Sequence, residues 1–264
     1  MSSAPPPTVV TFAASDPTGG AGIQADLLAI AGLGCHPLSV ITALTAQDTR
    51  GVAGFQPVEP EWILRQARTL LADLPVAAFK LGMLGSAANA RAIAGILREH
   101  PKPPVVIDPV LASGRGDPLS DDGTLAALRE ELAPRATVLT PNSVEARRLA
   151  LAGPGAPLEE CAHSLLALGC ANVLITGTHE PGEQVVNTLY ARDATPRRTR
   201  WPRLPGEYHG SGCTLASALA AQLAKGMAVP DASEAAQAYT FRALESGFRA
   251  GAGQLLPNRI FPAR

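Results

Sequence analysis

The residues best suited to chemistry lie in a glycine-rich turn, His209–Thr214, with the sequence HGSGCT. Glycines let backbone amides turn toward one point, and the uncharged helix predicted to follow adds the positive end of its dipole. Gly210, Ser211, Gly212 and Cys213 would then form an anion hole for a phosphoryl group in transfer. We expect Cys213, at the helix start, to have a lowered pKa if it is partly exposed. The alternative is a plain turn that starts a helix, with Cys213 as a small core residue.

A second glycine-rich turn, Asp16–Gly22 (DPTGGAG), follows a predicted buried strand. Tight glycines at this place permit a ligand to approach the backbone closely. The turn lacks both the G-x-x-x-x-G-K-[ST] pattern and the G-x-G-x-x-G spacing, so it supports neither a P-loop nor a dinucleotide fingerprint. A plain turn without a ligand is the alternative.

The third motif is Thr140–Glu145 (TPNSVE), at the start of a predicted helix. Asn142 and Glu145 are three residues apart and share one helix face, where an amide and a carboxylate suit a hydrated magnesium ion. The alternative is an N-cap followed by an acidic residue in the first turn. Asp108, at the end of the segment PVVID, is a further magnesium candidate or simply the start of an Asp-Pro turn.

The composition excludes several classes of protein. The 264 residues include 22 basic and 23 acidic side chains, and this balance argues against a nucleic-acid surface. Four widely spaced cysteines form no C-x-x-C pair, which is typical of a reduced compartment and not of a disulfide framework or a zinc site. We find no signal-peptide pattern, and glycine, proline and histidine interrupt the uncharged segment 27–47, so we expect no membrane span and a cytoplasmic location. Only three of the basic residues are lysines: Lys80, Lys102 and Lys225.

Short apolar runs alternate with longer helical runs along the chain, and this pattern places the motifs. Repeated strand–helix units indicate a parallel sheet with helices on both faces. The extended segments 184–192 and 197–203, with no helix between them, indicate antiparallel strands at one edge. We predict one α/β domain over residues 1–264, with 1–7 as a flexible tail, and expect Trp62 on the amphipathic helix 59–74 to anchor the core. Ligands of such sheets bind beyond the carboxyl ends of the strands, where the motifs lie.

Six strings carry a family resemblance: ASDPTGGAGIQADL, SVITALTAQDTRGV, KLGMLG, VVIDPV, TPNSVEA and HGSGCTLASALA. In this order and spacing, from about residue 9 to about residue 221, they resemble the hydroxymethylpyrimidine kinase/phosphomethylpyrimidine kinase family of thiamine biosynthesis. A cysteine at position 213 is typical of this branch, whereas related sugar kinases typically have aspartate there. The resemblance implies a ribokinase-like three-layer α/β/α fold with a mostly parallel central sheet and an antiparallel edge. It also implies a homodimer.

The resemblance further implies an enzyme that uses ATP and Mg²⁺ to phosphorylate the hydroxymethyl group of the pyrimidine. The resulting monophosphate is then phosphorylated to the diphosphate. By the matched motifs, Gln47 would hydrogen-bond the aminopyrimidine edge and Met83 would pack on the ring. Ala14, where the family often has glycine, would line the pocket, and Asp26 would hold the substrate hydroxyl.

The same comparison of motifs implies the roles of the remaining site residues. Asn142 and Glu145 would hold magnesium and its waters, with Asp108 nearby, and the turn at 210–213 would form the anion hole. The acceptor of the hydroxyl proton stays open between Asp26 and a Cys213 thiolate.

One position departs from the family pattern. Many members have Lys-Gly-Gly-His where this chain has Thr176, Gly177, Thr178 and His179, and their lysine contacts the ATP phosphates. None of the three lysines of this chain matches it. We expect magnesium or an arginine to supply the missing charge, with Arg115 as the first candidate, while Thr140, Thr176 and Gly177 remain on the ATP side.

Two alternatives to the pyrimidine kinase stay open. One is a pyridoxal or pyridoxine kinase with the same catalytic logic. The other is a pyrimidine-binding protein with little or no kinase activity, which the missing lysine motivates. Gln47 opposite an aminopyrimidine favours the pyrimidine kinase.

Overall fold

Buried apolar runs form the strands that the alternation predicts. The computed structural model describes residues 4–113 and 116–261. Within these ranges nine strands make one sheet in the order β3-β2-β1-β4-β5-β6-β7-β8-β9. The strands are β1 (Thr8–Ser15), β2 (His36–Gln47), β3 (Val52–Pro57), β4 (Ala78–Leu81), β5 (Val105–Ile107), β6 (Val138–Leu139), β7 (Asn172–Ile175), β8 (Gln184–Ala191) and β9 (Arg197–Pro202).

The helices follow the strands in the order that the sequence predicts. Ser86 and Asp121 begin two of them as N-caps, since their side chains accept hydrogen bonds from Asn89 N at 3.2 Å and Thr124 N at 2.7 Å. A π-helical turn and a 3₁₀ turn extend α4 to Arg135. The helices are α1 (Gly22–Gly32), α2 (Pro60–Asp73), α3 (Ala87–Glu99), α4 (Asp122–Ala127), α5 (Ser143–Leu149), α6 (Leu158–Ala167), α7 (Ser211–Ala224) and α8 (Val229–Glu245).

The central strands are parallel and are covered on both faces. β2, β1, β4, β5, β6 and β7 pair in parallel, and β4 is buried at all four of its residues. One apolar core packs α2 to α6 against one face, and a second packs α1, α7 and α8 against the other. The predicted three-layer α/β/α fold is therefore confirmed.

Helix α7 is enclosed more completely than the other helices that flank the site. It contacts α1, α8 and the strands β1, β4 and β5, and every residue from Thr214 to Ala221 is buried. Its small, uncharged side chains allow these elements to approach on all sides. This packing fixes its first turn, Ser211–Cys213, at the carboxyl ends of the central strands.

Antiparallel strands lie at both edges of the sheet, not at one. β8 and β9 form the predicted edge, and β3 pairs antiparallel with β2 at the other. β3 has no buried residue and no apolar run, so the alternation along the sequence does not predict it.

The expectation that Trp62 anchors the core is wrong. Its side chain is 56% exposed, and the guanidinium of Arg65 lies 4.9 Å from its ring centroid. Ile63 and Ala67 occupy the buried face of α2 instead. In the described part of the chain, none of the helices has the length and hydrophobicity that crossing a bilayer requires.

Candidate active site

A cavity of about 550 Å³ at the carboxyl ends of the parallel strands gathers most of the predicted site residues. Twelve of the fifteen predicted site residues line the cavity: Ala14, Gln47, Met83, Asp108, Thr140, Asn142, Glu145, Thr176, Gly210, Ser211, Gly212 and Cys213. Of the other three, Asp26 is fully buried, Gly177 is held against β8, and Arg115 lies outside the described residues.

The two glycine-rich loops meet backbone to backbone beside this cavity. Gly210 precedes α7 with a φ of +82°, and a Cβ at this position would overlap the carbonyl oxygen of Gly20. His209 Nε2 lies 2.9 Å from Asp16 Oδ2, which joins the same two loops through side chains. Ser211–Cys213 line the cavity, and the first amides of a helix have no acceptor within it. Helix amides without an acceptor can bind an anion, and an anion hole at these three residues stays a prediction.

Cys213 keeps its proton at neutral pH. The residue is partly exposed, but desolvation raises the pKa of its thiol to about 12, although the charge of Lys80 acts in the opposite direction. The Asp108 carboxylate accepts a hydrogen bond from this thiol. The predicted lowering of the Cys213 pKa is wrong because desolvation outweighs the helix dipole and the nearby cation.

Two buried carboxyl groups, Asp108 and Glu145, interact across the cavity. Burial raises the pKa of Asp108 to about 6, and burial together with the charge of Asp108 raises that of Glu145 to about 8. Asp108 Oδ2 has no hydrogen-bond partner among the described residues. A cation here would stabilise both ionised carboxylates and would occupy the unpaired oxygen.

Asn142 and Glu145 form a capping box at the start of α5. Asn142 Oδ1 accepts a hydrogen bond from Glu145 N at 2.9 Å, and Glu145 Oε2 accepts one from Asn142 N at 3.0 Å. The N-cap alternative is thus correct, and it leaves further lone pairs on the same oxygens. No group of three or more His, Cys, Asp or Glu side chains suited to a metal ion occurs in residues 4–113 and 116–261. The residues present fit an ion that keeps most of its waters, which magnesium does.

Asp26 is placed beneath the cavity and not in it. Its oxygens accept hydrogen bonds from Lys80 Nζ at 2.8 and 2.9 Å, from Thr11 Oγ1 at 2.5 Å and from Ser217 Oγ at 2.7 Å. Burial disfavours the charge on Lys80, but Asp26 more than compensates and raises the Lys80 pKa above its usual value. Asp26 therefore holds a fixed cation that lines the cavity, and its own oxygens are already engaged by the protein.

The strand end that carries the departure from the family pattern is tied to its neighbours. Thr176 N donates to Pro141 O at 3.0 Å, which joins the end of β7 to the start of α5. Gly177 N donates to Asn187 Oδ1 at 3.1 Å, and a Cβ at Gly177 would overlap Val186 O. Gly177 therefore fixes the turn, and Thr176, Thr178 and His179 line the cavity.

Sequence reasoning missed a polar cluster at the β7–β9 end of the cavity. Trp201 Nε1 and Asn187 Nδ2 both donate to Gln237 Oε1, at 3.1 and 3.0 Å, and Trp201 stacks on Phe241 with 5.1 Å between ring centroids. These residues belong to β8, β9 and α8 and lie outside every glycine motif. No local signal in the sequence marks them.

The opposite, β1–β4 end of the cavity is mainly apolar. Ala14, Met83 and Leu119 belong to one small apolar cluster, with Val110 packed against it. Gln47 ends β2 and lines the same part of the cavity, where the β2–β3 hairpin holds it. An apolar wall with one amide beside it suits a flat heterocycle that has a polar edge.

The fold and the site together define a small-molecule kinase of the ribokinase-like superfamily. The family model described as phosphomethylpyrimidine kinase matches residues 16–258. The chain belongs to this phosphomethylpyrimidine kinase family.

Two kinds of relative support this assignment. A hydroxymethylpyrimidine/phosphomethylpyrimidine kinase of Streptomyces coelicolor is 42% identical over 251 residues, covering 94% of this chain and 92% of the relative. A phosphomethylpyrimidine kinase of Clostridium difficile is similar in structure, with a TM-score of 0.78 and 32% identity over 89% of this chain and 97% of its own. The ADP complex of Bacillus subtilis pyridoxal kinase has a TM-score of 0.87 and 31% identity, covering 96% and 97% of the two chains.

The contact between the two glycine loops predicts a large cost for Gly210→Ala. A positive φ at a non-glycine residue costs about 1–2 kcal/mol, and the overlap with Gly20 O adds a cost on the order of 1–3 kcal/mol. The matched control is Gly226→Ala, because Gly226 has a φ of +86° and no atom lies within 4 Å of the place its Cβ would take. We expect urea unfolding to show a clearly larger loss for Gly210→Ala. Equal losses would mean that the loops can separate freely.

The two raised carboxyl pKa values predict how stability depends on pH without metal. Folded Asp108 and Glu145 bind protons more tightly than the unfolded chain, so their contribution to the free energy of unfolding falls as pH rises from about 4 to about 8. Asp108→Asn removes one group and relieves the charge acting on Glu145. In urea unfolding with a chelator present, the wild type should lose stability more steeply than Asp108→Asn across this range. Parallel profiles would contradict the assignment.

Proposed function

We propose that this chain transfers the γ-phosphoryl group of ATP to the hydroxymethyl group of hydroxymethylpyrimidine. It then transfers a second one to the monophosphate, which gives the diphosphate used in thiamine biosynthesis. The observation that carries the proposal is the arrangement of one cavity: an apolar end with Gln47, an anion hole at the start of α7, and two interacting carboxyls between them. The identity to the Streptomyces kinase over nearly the whole chain supports the same activity.

Phosphoryl transfer depends mainly on positioning and on neutralising spread negative charge. The pyrimidine would occupy the end formed by Ala14, Gln47 and Met83. ATP would enter from the β7–β9 end, past Thr140 and Thr176, with its γ-phosphoryl group against the amides of Ser211–Cys213. These amides are fixed before the ligand arrives, so they would stabilise the transferring group without reorganisation.

Of the two proposed proton acceptors, neither suits that role in its observed surroundings. Asp26 is engaged by Lys80, Thr11 and Ser217, and the Cys213 thiol has a pKa of about 12. Asp108 is the remaining carboxylate beside Cys213, its pKa of about 6 lies near neutrality, and its Oδ2 is unpaired among the described residues. We assign the hydroxyl proton to Asp108 Oδ2, with Cys213 holding the other part of that carboxylate in place.

Nucleotide complexes of similar kinases support the use of ATP, and we propose magnesium as the metal ion bound with it. Asn142 and Glu145 would hold the ion chiefly through waters, with Asp108 close by. When bound with ATP, magnesium would neutralise phosphate charge. We further expect the enzyme to act as a homodimer in the cytoplasm.

A pyridoxal kinase activity is the second candidate, and a specific observation favours keeping it. The similar structures include pyridoxal kinases from Bacillus subtilis and Staphylococcus aureus, at 31% and 27% identity, with TM-scores of 0.87 and 0.88. Pyridoxal is also a flat heterocycle with a hydroxymethyl group, so the apolar end of the cavity suits it too. Gln47, an amide able to pair with an aminopyrimidine edge, favours the pyrimidine as the main substrate.

The substrate assignment predicts the outcome of a coupled ADP-release assay. We expect the highest kcat/KM with hydroxymethylpyrimidine and its monophosphate, and a lower value with pyridoxal. Gln47→Leu should reduce kcat/KM for the pyrimidines by about 10²–10³, because the aminopyrimidine edge would be left unpaired, with less effect on pyridoxal. ADP release with none of the three substrates, together with measurable pyrimidine binding, would leave only the binding-protein alternative.

The protonated state of Cys213 predicts a split between two substitutions. Cys213→Ser keeps a donor for Asp108 and should retain kcat within about threefold, since no thiolate is required. Cys213→Ala removes the donor and should lower kcat by at least about tenfold, as the loss of one hydrogen bond to a charged group does. A kcat for Cys213→Ser as low as that for Cys213→Ala would show that the sulfur itself takes part.

A further inference from the structure

Arg259, near the end of the described chain, connects both glycine loops from behind the anion hole. Its Nη2 donates to Gly20 O at 2.5 Å and to Gly210 O at 3.3 Å, and its Nη1 donates to Gly19 O at 3.3 Å. Its Nε donates to Thr214 Oγ1 at 2.9 Å, in the first turn of α7. One planar guanidinium therefore holds the loop after β1 against the start of α7.

The charge of Arg259 is buried and has no direct carboxylate partner among the described residues. The residue is 3% exposed, and its hydrogen bonds go to three carbonyl groups and one hydroxyl. Asp16 and Asp26 act on it only through longer-range attraction, and each already bonds to another side chain. A buried cation paired only with dipoles leaves net positive potential nearby.

That potential lies where the proposed reaction concentrates negative charge. Gly210 and Thr214, which Arg259 contacts, flank the three residues of the anion hole. The guanidinium also holds the carbonyl oxygen of Gly20 at 2.5 Å, which keeps that oxygen from turning toward a bound phosphate. Both effects favour an anion in the hole, and both are fixed before the ligand binds.

We propose that Arg259 is a positioning residue that replaces the missing phosphate-contacting lysine with a fixed charge behind the anion hole. This rests on the proposed function, which places the γ-phosphoryl group of ATP in that hole. Arg259 lies one residue beyond the segment that the family model matches, so family membership does not assign it a role. Among the described residues Arg203 is a competing arginine: it lines the cavity, but it is exposed and its guanidinium donates to the carbonyl groups of Thr178, Glu180 and Gly182. Arg115, the first candidate from the sequence, lies outside the described residues.

The test compares Arg259→Gln and Arg259→Lys with the control Arg242→Gln. Arg242 stacks its guanidinium 4.7 Å from the Phe261 ring centroid, so it anchors the same C-terminal segment without touching either glycine loop. Calorimetry measures the affinities for the ATP analogue AMP-PCP with Mg²⁺ and, separately, for hydroxymethylpyrimidine. The ADP-release assay measures kcat.

Arg259→Gln should weaken AMP-PCP binding by about tenfold and lower kcat by about 10², while pyrimidine affinity stays within about twofold. Arg259→Lys, which keeps the charge, should recover a large part of the AMP-PCP affinity, and Arg242→Gln should match the wild type. If Arg259→Gln and Arg259→Lys both bound AMP-PCP and hydroxymethylpyrimidine equally weakly, Arg259 would have only a structural role and the proposal would be overturned. The proposal would also be overturned if Arg203→Gln weakened AMP-PCP binding while Arg259→Gln left it unchanged.

A second pair of variants covers the case in which Arg259→Gln does not fold. Thr214→Val is nearly isosteric and removes the contact with Arg259 together with the hydrogen bond that Thr214 Oγ1 donates to Gly210 O at 2.7 Å, whereas Thr214→Ser keeps the hydroxyl. We expect at least about a threefold weaker AMP-PCP affinity for Thr214→Val than for Thr214→Ser, with equal pyrimidine affinities, and equal AMP-PCP affinities would overturn the proposal. The calorimetric measurements need no turnover. A wild type that binds AMP-PCP but phosphorylates no pyrimidine would refute the proposed function and leave the role of Arg259 measurable.

Discussion

The arrangement of the site depends on the close approach of two backbone loops. Gly20 and Gly210 lie so near each other that a Cβ on Gly210 would overlap the carbonyl oxygen of Gly20. One loop follows β1 and the other precedes α7, so their contact also fixes the sheet against the helix layer formed by α1, α7 and α8. The enclosed, small-residue packing of α7 holds its first turn in place from the opposite side. The proposed anion hole is therefore shaped first by backbone packing, and the side chains of Arg259, His209 and Asp16 add further contacts between the loops.

The electrostatics of the site follow from burying several charges in one region. The negative charge of Asp26 balances the positive charge of Lys80 and keeps this cation in place. The same ion pair keeps Asp26 from contacting a ligand. The charge on the Asp108 carboxylate repels a charge on Glu145 and so raises the pKa of Glu145. The Cys213 thiol remains neutral in these surroundings, and donates to the nearer of the two carboxyls. The cavity thus has an excess of acidic groups at its centre, which a divalent cation would relieve, and fixed cations at its walls, which suit phosphate.

The sequence predicted the strands and loops that have a local signal. It did not predict properties that depend on how deeply a side chain is buried. Strands such as β1 and β5 are largely apolar runs, and the glycine motifs mark loops that require positive φ or close approach, so both were predictable. β3 carries no buried residue and gave no such run. The exposure of Trp62 and the raised pKa of Cys213 depend on which neighbours surround a side chain, and neighbours far along the chain cannot be read from spacing. The same limit applies to Asp26, whose three partners come from β1, β4 and α7.

The shortage of lysine in this chain acquires a physical meaning from the position of Arg259. A lysine in the cavity can follow the phosphate from ground state to transition state, because its flexible stem carries a mobile point charge. A guanidinium held by three carbonyl groups and a hydroxyl cannot follow, so its field is constant through the reaction. Such a charge assists transfer only if the anion hole is already aligned with the transition state, which demands rigid loops. The tight contact between Gly20 and Gly210 supplies that rigidity, so the fixed arginine and the close-packed loops form one solution to the missing lysine.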